Sequence, residues 1–566
     1  MSTSHDDGMD SRTFAQPQQP TPAAEPTQTP VPGPTSTPAT SFTPTSAPSS
    51  ARAQRAAART ATRATARGWI VFTACLIVFG FAAWLVWGMT VSHNNPVVRR
   101  LSGATGASVT IAVDAVPSSL DVHTDSEDAV AQYLVGNVYE TICGRNASNN
   151  AVAGLATSWE TSEDGLTYTF HLADGIRFSN GHTLDASDVV WSLQQTVQNA
   201  YLGSDALAGL ASITQTDAST VTITLSAPDP TLPWRLSGRA GIVWDEEDQG
   251  DGTTPVAGSG PYVIGALDAG QTLTLERNDA YWASGHTENP RTVTLRAYAD
   301  GQSAVEDVKN GTVDAVLPAD SDALASLDGV EGVSETTMGS TMKTAIAFHS
   351  GGQTYFADVA SRQAARKAID TAGIVSWCGA TCGTLSEAVA PLDPGAGDIS
   401  PAVSYDPQSS RAFFSSLAMN LSFVYRESDA AVAQQAIAQL SAAGWWVFGT
   451  QLDDASYERQ VTQEHDYDMT IVHFDDSRDI SRISDPNGVA QYTSSEADEL
   501  RAQLAAATNG TDYANDVAAL ADRLDTDSPY VWLYVSAPVA ASRSTLTGMP
   551  ALYSSDRLDL TALHVN

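Results

Sequence analysis

The sequence predicts a mixed α/β region carried beyond a single membrane-spanning helix, with a disordered tail in front of that helix. Three observations carry this reading. At 566 residues the chain is long enough for two or more domains. Trp69 to Met89 is a run of 21 residues without a charge, long enough to cross a bilayer core as a helix. Gly154 to Leu193 packs strand, turn and helix signals into one short stretch.

The elements follow in chain order. Residues 1–50 are rich in Pro, Thr, Ser, Ala and Gln, with Thr-Pro steps at Thr21, Thr29, Thr37 and Thr43. Too few apolar side chains are present to offset the entropy of ordering, so this segment reads as a disordered tail with polyproline II character. Residues 51–67 form a basic juxtamembrane segment. Arg52, Arg55, Arg59, Arg63 and Arg67 recur every three or four residues and so share one helical face. The membrane helix occupies 68–91, with Trp69 near one end and Trp84 and Trp87 near the other as interfacial anchors. The arginines precede it, which places the N-terminus in the cytoplasm and everything after about residue 92 outside. The apolar run exceeds a cleavable signal's core and no small-x-small site closes it, so an uncleaved signal-anchor is expected. Residues 92–107 are a stalk.

Beyond the stalk, Val109, Ile111 and Val113 alternate as a first strand. Leu166, Tyr168, Phe170 and Leu172 alternate with Thr167, Thr169 and His171 as a half-buried strand between the turn signals Asp164-Gly165 and Asp174-Gly175. Asn180-Gly181 is a third turn, and Asp185 is placed to cap a helix whose inner face is Val189, Val190 and Leu193. Strands follow at 220–228 and from Leu295. Helices are expected at 430–443, 496–507 and 513–524, with a strand at 467–472 between the first and second of these.

The composition is strongly acidic, with 65 Asp and Glu against 29 Lys and Arg and a net charge of -36. That surface excludes a nucleic-acid partner, whose phosphates need a basic face. Of four cysteines, Cys75 lies in the membrane run. Cys378 and Cys382 are close enough for one local disulfide in an oxidising compartment. Cys143 is then left over as a buried thiol, unless it pairs with one of those two.

The wording of several segments goes further. Gly154 to Leu193, the Pro117-Ser118-Ser119-Leu120-Asp121 turn, Val138-Tyr139-Glu140, Gly258-Ser259-Gly260-Pro261-Tyr262, Tyr281-Trp282 and Tyr405-Asp406-Pro407 resemble motifs of the extracellular solute-binding proteins of family five, the oligopeptide- and dipeptide-binding receptors of ABC importers. The resemblance runs from about residue 108 to 566. It implies a two-lobed, periplasmic-binding-protein-like α/β fold that closes on ligand about a hinge. The first lobe would comprise 108–339 and a C-terminal return at 529–566, and the second lobe 340–528.

No catalytic pattern appears: no G-x-S-x-G elbow, H-E-x-x-H, phosphate loop or dinucleotide fingerprint. An enzyme, a cofactor and a metal are not expected. In the resembled family a carboxylate just after the strand equivalent to 467–472 holds a ligand ammonium. Here Asp468 and Phe474 match that pattern, the acidic position falls on Ser477, and Asp475 and Asp476 stand close by as candidates. His473 and Arg478 are candidates for a ligand carboxylate, since a guanidinium binds one bidentately. Trp377 and Trp445 are candidates to stack on ligand, with one of the Trp445-Trp446 pair expected in the core. Asp121 is a weaker candidate at the cleft edge.

The function expected is that of a membrane-anchored receptor subunit that captures a small solute, above all short peptides, and hands it to membrane permease subunits, its ectodomain monomeric. The alternatives are a membrane-anchored solute sensor built on the same lobes, or a receptor for a non-peptide solute such as an oligosaccharide or a metal complex.

Overall fold

The computed structural model describes residues 106–248, 256–397, 401–415 and 419–566. The predicted tail, basic segment and membrane helix lie outside them, as does nearly all of the stalk. No described helix is long and apolar enough to cross a membrane.

Two large sheets organise residues 106–566. The first has seven strands in the order Val333–Thr337, Val539–Arg543, Ala315–Val316, Ser108–Val113, Thr292–Ala297, Thr272–Arg277 and Tyr262–Asp268. Val109, Ile111, Val293, Leu295, Leu273 and Leu275 fill its core, so the alternation of the first strand points inward as predicted. The second sheet has six strands in the order Cys382–Gly383, Tyr530–Ser536, Lys343–Phe348, Met469–Phe474, Leu421–Arg426 and Val447–Leu452. Its central strand, Lys343–Phe348, is buried on both faces, where two separate clusters of apolar residues cover it. These sheets are the cores of the two lobes.

The first lobe carries an added layer made from the signature stretch. Ala156–Thr161, Thr167–Leu172, Thr220–Leu225 and Leu210–Asp217 form an antiparallel four-stranded sheet. The helix Ala186–Gln198 lays Val189 and Leu193 against it. Asp185 caps that helix as predicted: its carboxylate accepts from the Ser187 N–H at 2.8 Å while Asp188 accepts from the Asp185 N–H at 2.8 Å. Such a reciprocal cap satisfies two donors that the first turn leaves orphaned.

Segments far apart in sequence lock the first lobe together. Glu140 accepts from Tyr281 Oη at 2.7 Å and from Trp282 Nε1 at 2.8 Å. Gly260 lies against the same loop, where an added Cβ would sit 2.4 Å from the Asn137 carbonyl, so only glycine fits.

The return between lobes corrects the predicted boundary at 529. Strand Tyr530–Ser536 pairs with Lys343–Phe348 and belongs to the second lobe. The crossing falls at 537–538, and Val539–Arg543 joins the first-lobe sheet by pairing with Val333–Thr337. Burial explains the difference: Val531, Trp532 and Leu533 complete the second-lobe cores. The outgoing crossover, 338–342, runs beside the return. The Met338 N–H donates to Pro538 O at 2.8 Å and the Ser536 N–H to Met342 O at 2.8 Å, making a two-stranded hinge.

The predicted disulfide is present. Cys378 and Cys382, with Cα atoms 5.8 Å apart, tie the end of helix Thr371–Cys378 to the second-lobe sheet edge. Cys143 is a free, buried thiol, and burial pushes its pKa up to about 12.

Candidate functional site

A cleft of about 540 Å3 opens between the lobes. The first lobe lines it with Asp128, Arg145, Trp234 and Arg239, and the second with Asp476 to Asp479, Ser481 and Arg482. The second-lobe wall follows from local structure. Strand Met469–Phe474, interior to the second-lobe sheet, ends, the chain turns, and the short helix Ile480–Ile483 begins. Arg478 makes that turn with φ 56°, a left-handed conformation costly for a residue with a Cβ. Contacts from both lobes hold it there.

Those contacts centre on one indole. The Arg478 guanidinium carbon lies 4.4 Å from the Trp234 ring centroid, and that of Arg145 lies 4.5 Å from the same centroid. Trp234 sits in the single-turn helix Leu232–Arg235, opened by Pro233, and its Nε1 donates to Asn149 Oδ1 at 3.1 Å. Asn149 is buried at φ 58° in the turn after strand Cys143–Arg145, and its amide donates across the cleft to Ser477 Oγ at 2.7 Å. Arg478 Nη2 also donates to Asn149 O at 3.2 Å. Burial lowers the Arg478 guanidinium to about 10, against the opposing pull of Asp393.

Beneath this layer lies a buried charge network. Lys343, fully enclosed, meets Asp479 at 2.8 Å and Asp393 at 3.8 Å and donates to Thr341 O and Asp476 O. Ser477 Oγ donates to Asp393. Burial raises the Asp479 carboxyl above its ordinary range although Lys343 opposes the shift. On the first-lobe side Arg145 grips Asp556 bidentately, both contacts at 2.8 Å. Burial, and then the charge of Asp475 across the cleft, raise the Asp128 carboxyl.

Of the predicted residues, Asp476 and Arg478 line the cleft, and Asp475 is exposed beside it. Five others are corrected by their surroundings. Phe474 is 4% exposed and packs on Tyr530 and Trp532, so its ring is core. Trp445 is 1% exposed, stacks on Phe414 and donates to Ser410 Oγ at 2.8 Å; it is the core member of its pair, while Trp446 is 55% exposed. His473 is tied to Asp429 at 2.7 Å and Thr344 at 3.1 Å within the second lobe and does not line the cleft. Asp121 accepts from the His123 and Thr124 N–H groups and closes its own turn. Trp377 is exposed on helix Thr371–Cys378 and also lies off the cleft lining.

Sequence reasoning missed Trp234, Arg145, Asn149, Asp128 and Asp393. The nearest signal was Ser477, where the resembled pattern has a carboxylate: the structure places Asp393 against that hydroxyl.

The family model for bacterial extracellular solute-binding proteins, family 5 Middle, matches residues 150–487, more than half of the chain. The chain belongs to this family. A probable peptide ABC transporter periplasmic-binding protein, y4tO, of Sinorhizobium fredii is 25% identical over 251 residues, which are 41% of this chain and 47% of that protein. The nickel-binding periplasmic protein of Escherichia coli is 24% identical over 185 residues, 31% of this chain and 35% of its own. The chain thus spans less than half the length of these curated relatives. Two solved structures share the fold: Helicobacter pylori DppA in complex with the peptide STSA (TM-score 0.64, 17% identity, 82% of this chain and 99% of that one) and Brucella suis NikA in complex with Fe(III)-EDTA (TM-score 0.71, 18%, 81% and 100%).

In this family-five chain the described residues also bring His182, Asp245 and Glu247 together, their ligand atoms within 4.8 Å of one another. Hydrogen bonds account for the group. Asp245 accepts from Asn180 Nδ2 at 2.8 Å and the Glu247 N–H at 2.9 Å, and meets His182 Nδ1 at 2.7 Å.

Proposed function

We propose that this chain is the extracellular receptor subunit of an ABC importer, that it captures short peptides between its lobes, and that it delivers them to membrane permease subunits. The observation that carries the reading is the placement of carboxylates from both lobes at one cleft. Asp128 belongs to the first lobe, Asp475 and Asp476 to the second; the two second-lobe charges raise the Asp128 carboxyl, Arg239 and the Arg482 guanidinium 3.2 Å from Asp476 offset part of that charge, and the remainder favours a cation between the lobes. A peptide ammonium group supplies that cation, and its backbone offers hydrogen bonds that accept many side chains. The role requires binding and lobe closure without chemistry. Anchoring through the charge-free run Trp69 to Met89 is part of the proposal and keeps the receptor at the membrane where its permease sits.

Native mass spectrometry of the purified chain tests it. A ladder of co-purified peptide masses, diminished in Asp476→Asn, is the expected result. A single non-peptide mass would overturn the ligand class. Peptide binding without uptake in cells carrying the permease would favour the sensor reading instead.

A further inference from the structure

The first lobe carries a cavity of about 360 Å3 built from described residues of that lobe. Among these it has Arg145 alone in common with the cleft between the lobes. Val152, Ala153, Pro261, Tyr281 and Ala283 give it apolar surface. Its volume falls in the range that holds small organic ligands, roughly 300–1,000 Å3.

Arg557, half-buried, lies in the wall of this cavity. Its guanidinium is fixed at one side: Nη1 donates to Ser237 O at 2.9 Å. Gly136, at φ 80°, leaves the room that Nη2 fills, and a Cβ there would collide with that nitrogen. The remaining Nε–Nη2 edge donates to no acceptor among the described residues, and neither nitrogen is shut off from water. No described carboxylate pairs with it. Asp556, the preceding residue, is taken by Arg145 and Ser554, and Asp559 accepts from Thr561. Burial, and then the like charge of Arg145, hold the Arg557 guanidinium below its usual pKa, against the pull of Asp556 and Asp559. A part-buried cation beside a second cation, with no counter-ion in contact, is costly, and an incoming anion lowers that cost. The lining also limits the anion's charge. Glu140, its carboxyl raised by burial, and the exposed Asp559 both disfavour a second negative charge, so a monoanion fits better than a dianion.

We propose that this cavity is a second ligand site, specific for a small organic carboxylate that is gripped by the Nε–Nη2 edge of Arg557 and lays an apolar body against Val152, Pro261 and Tyr281. Two parallel N–H groups of a guanidinium match the two oxygens of a carboxylate. The site is distinct from the peptide cleft, whose lining does not include Arg557.

The test is calorimetric titration of the full chain with benzoate and, as the neutral match of the same shape, benzamide, at about pH 7.5, where the carboxylate is ionised. Benzoate is expected to bind at least about tenfold more tightly than benzamide, the worth of one charge-assisted hydrogen bond. Arg557→Gln should reduce that preference to below about twofold. Absence of benzoate binding, a preference that survives Arg557→Gln, or inorganic phosphate binding more tightly than benzoate overturns the proposal. Should the variant fail to fold, crystals of the unmodified chain soaked in 4-bromobenzoate decide it. Anomalous bromine density in the cavity beside Arg557 supports the site; density only between the lobes, or none, refutes it.

Discussion

Arg478 of the second lobe and Trp234 of the first meet face to face across the cleft, with the guanidinium carbon 4.4 Å from the indole centroid. Arg145, 4.5 Å from the same ring, anchors that indole within the first lobe. A cation over an indole contributes about 0.5–2 kcal/mol, more as water is excluded. The contact therefore holds the lobes together, and its strength is comparable to the free energy of a two-state closure.

Removing the indole should loosen closure while leaving each lobe folded. In Trp234→Ala the ligand-free chain is expected to show a larger radius of gyration by small-angle X-ray scattering, with the unfolding midpoint changed little. An unchanged radius would mean that other contacts set closure.

Arg145 is predicted to behave differently, because it also neutralises Asp556 through two contacts at 2.8 Å. Arg145→Ala leaves that carboxylate, which is partly exposed and still bonded by Ser554 Oγ, without its guanidinium and should cost about 1–3 kcal/mol by urea unfolding. A loss below about 1 kcal/mol would show that solvent replaces the guanidinium.

Lys343 marks the base of the hinge. Lys343→Met strands Asp479 and Asp393 in the interior and is expected to destabilise the second lobe by about 3–5 kcal/mol. Removing both near partners together, as Lys343→Met with Asp479→Leu, should recover part of that loss. Strictly additive losses would sink the idea that the two groups are coupled.

His123 supplies a pH dependence. Its ring stacks on Tyr201 at 4.8 Å and tilts against Trp244 at 4.2 Å. Burial lowers its pKa from 6.5, Asp121 opposes the shift and Arg239 adds to it. Between that lowered value and 6.5 the unfolded chain binds more protons than the folded one, so this group's contribution to stability falls as the pH drops through the window. His123→Phe should lose less stability than the parent between about pH 7 and about pH 5. Parallel urea midpoints for the two proteins would refute the assignment.

Cysteine chemistry offers a further check. Peptide mapping after iodoacetamide should find Cys143 unmodified in the native chain and modified in denaturant, since it is buried with its thiol pushed up to about 12. Labelling of Cys143 in the native state would mean that the first-lobe core opens.

How much of this was legible depends on whether the cause was local. The strand and capped helix of the signature stretch were readable because alternation, turn dipeptides and an Asp at the N-cap act within a few residues. Motifs far apart carried a resemblance but not its reason, which is that Glu140 accepts from both Tyr281 and Trp282. The cleft was the least legible part. Asn149 and Arg478 are separated by 329 residues in sequence, and no periodicity couples them. Trp445 and Trp446 are adjacent and chemically identical, yet one is core and the other exposed; which face is which depends on helix Pro407–Phe414 packing over one of them.

The paired crossovers have one more consequence. The second lobe leaves the first-lobe sheet after strand Val333–Thr337 and returns to it at Val539–Arg543, two strands that are already neighbours. Its entrance and exit are therefore joined by hydrogen bonds, Met342 O accepting from the Ser536 N–H. The second lobe is a cassette: a tight turn could bridge the gap it leaves without disturbing the remaining sheet. Half of the recognition surface, Asp476 to Arg482, travels on that cassette. Exchange of this one contiguous gene segment between relatives would then replace one wall of the cleft in a single step, while the sheet that receives it stays as it is.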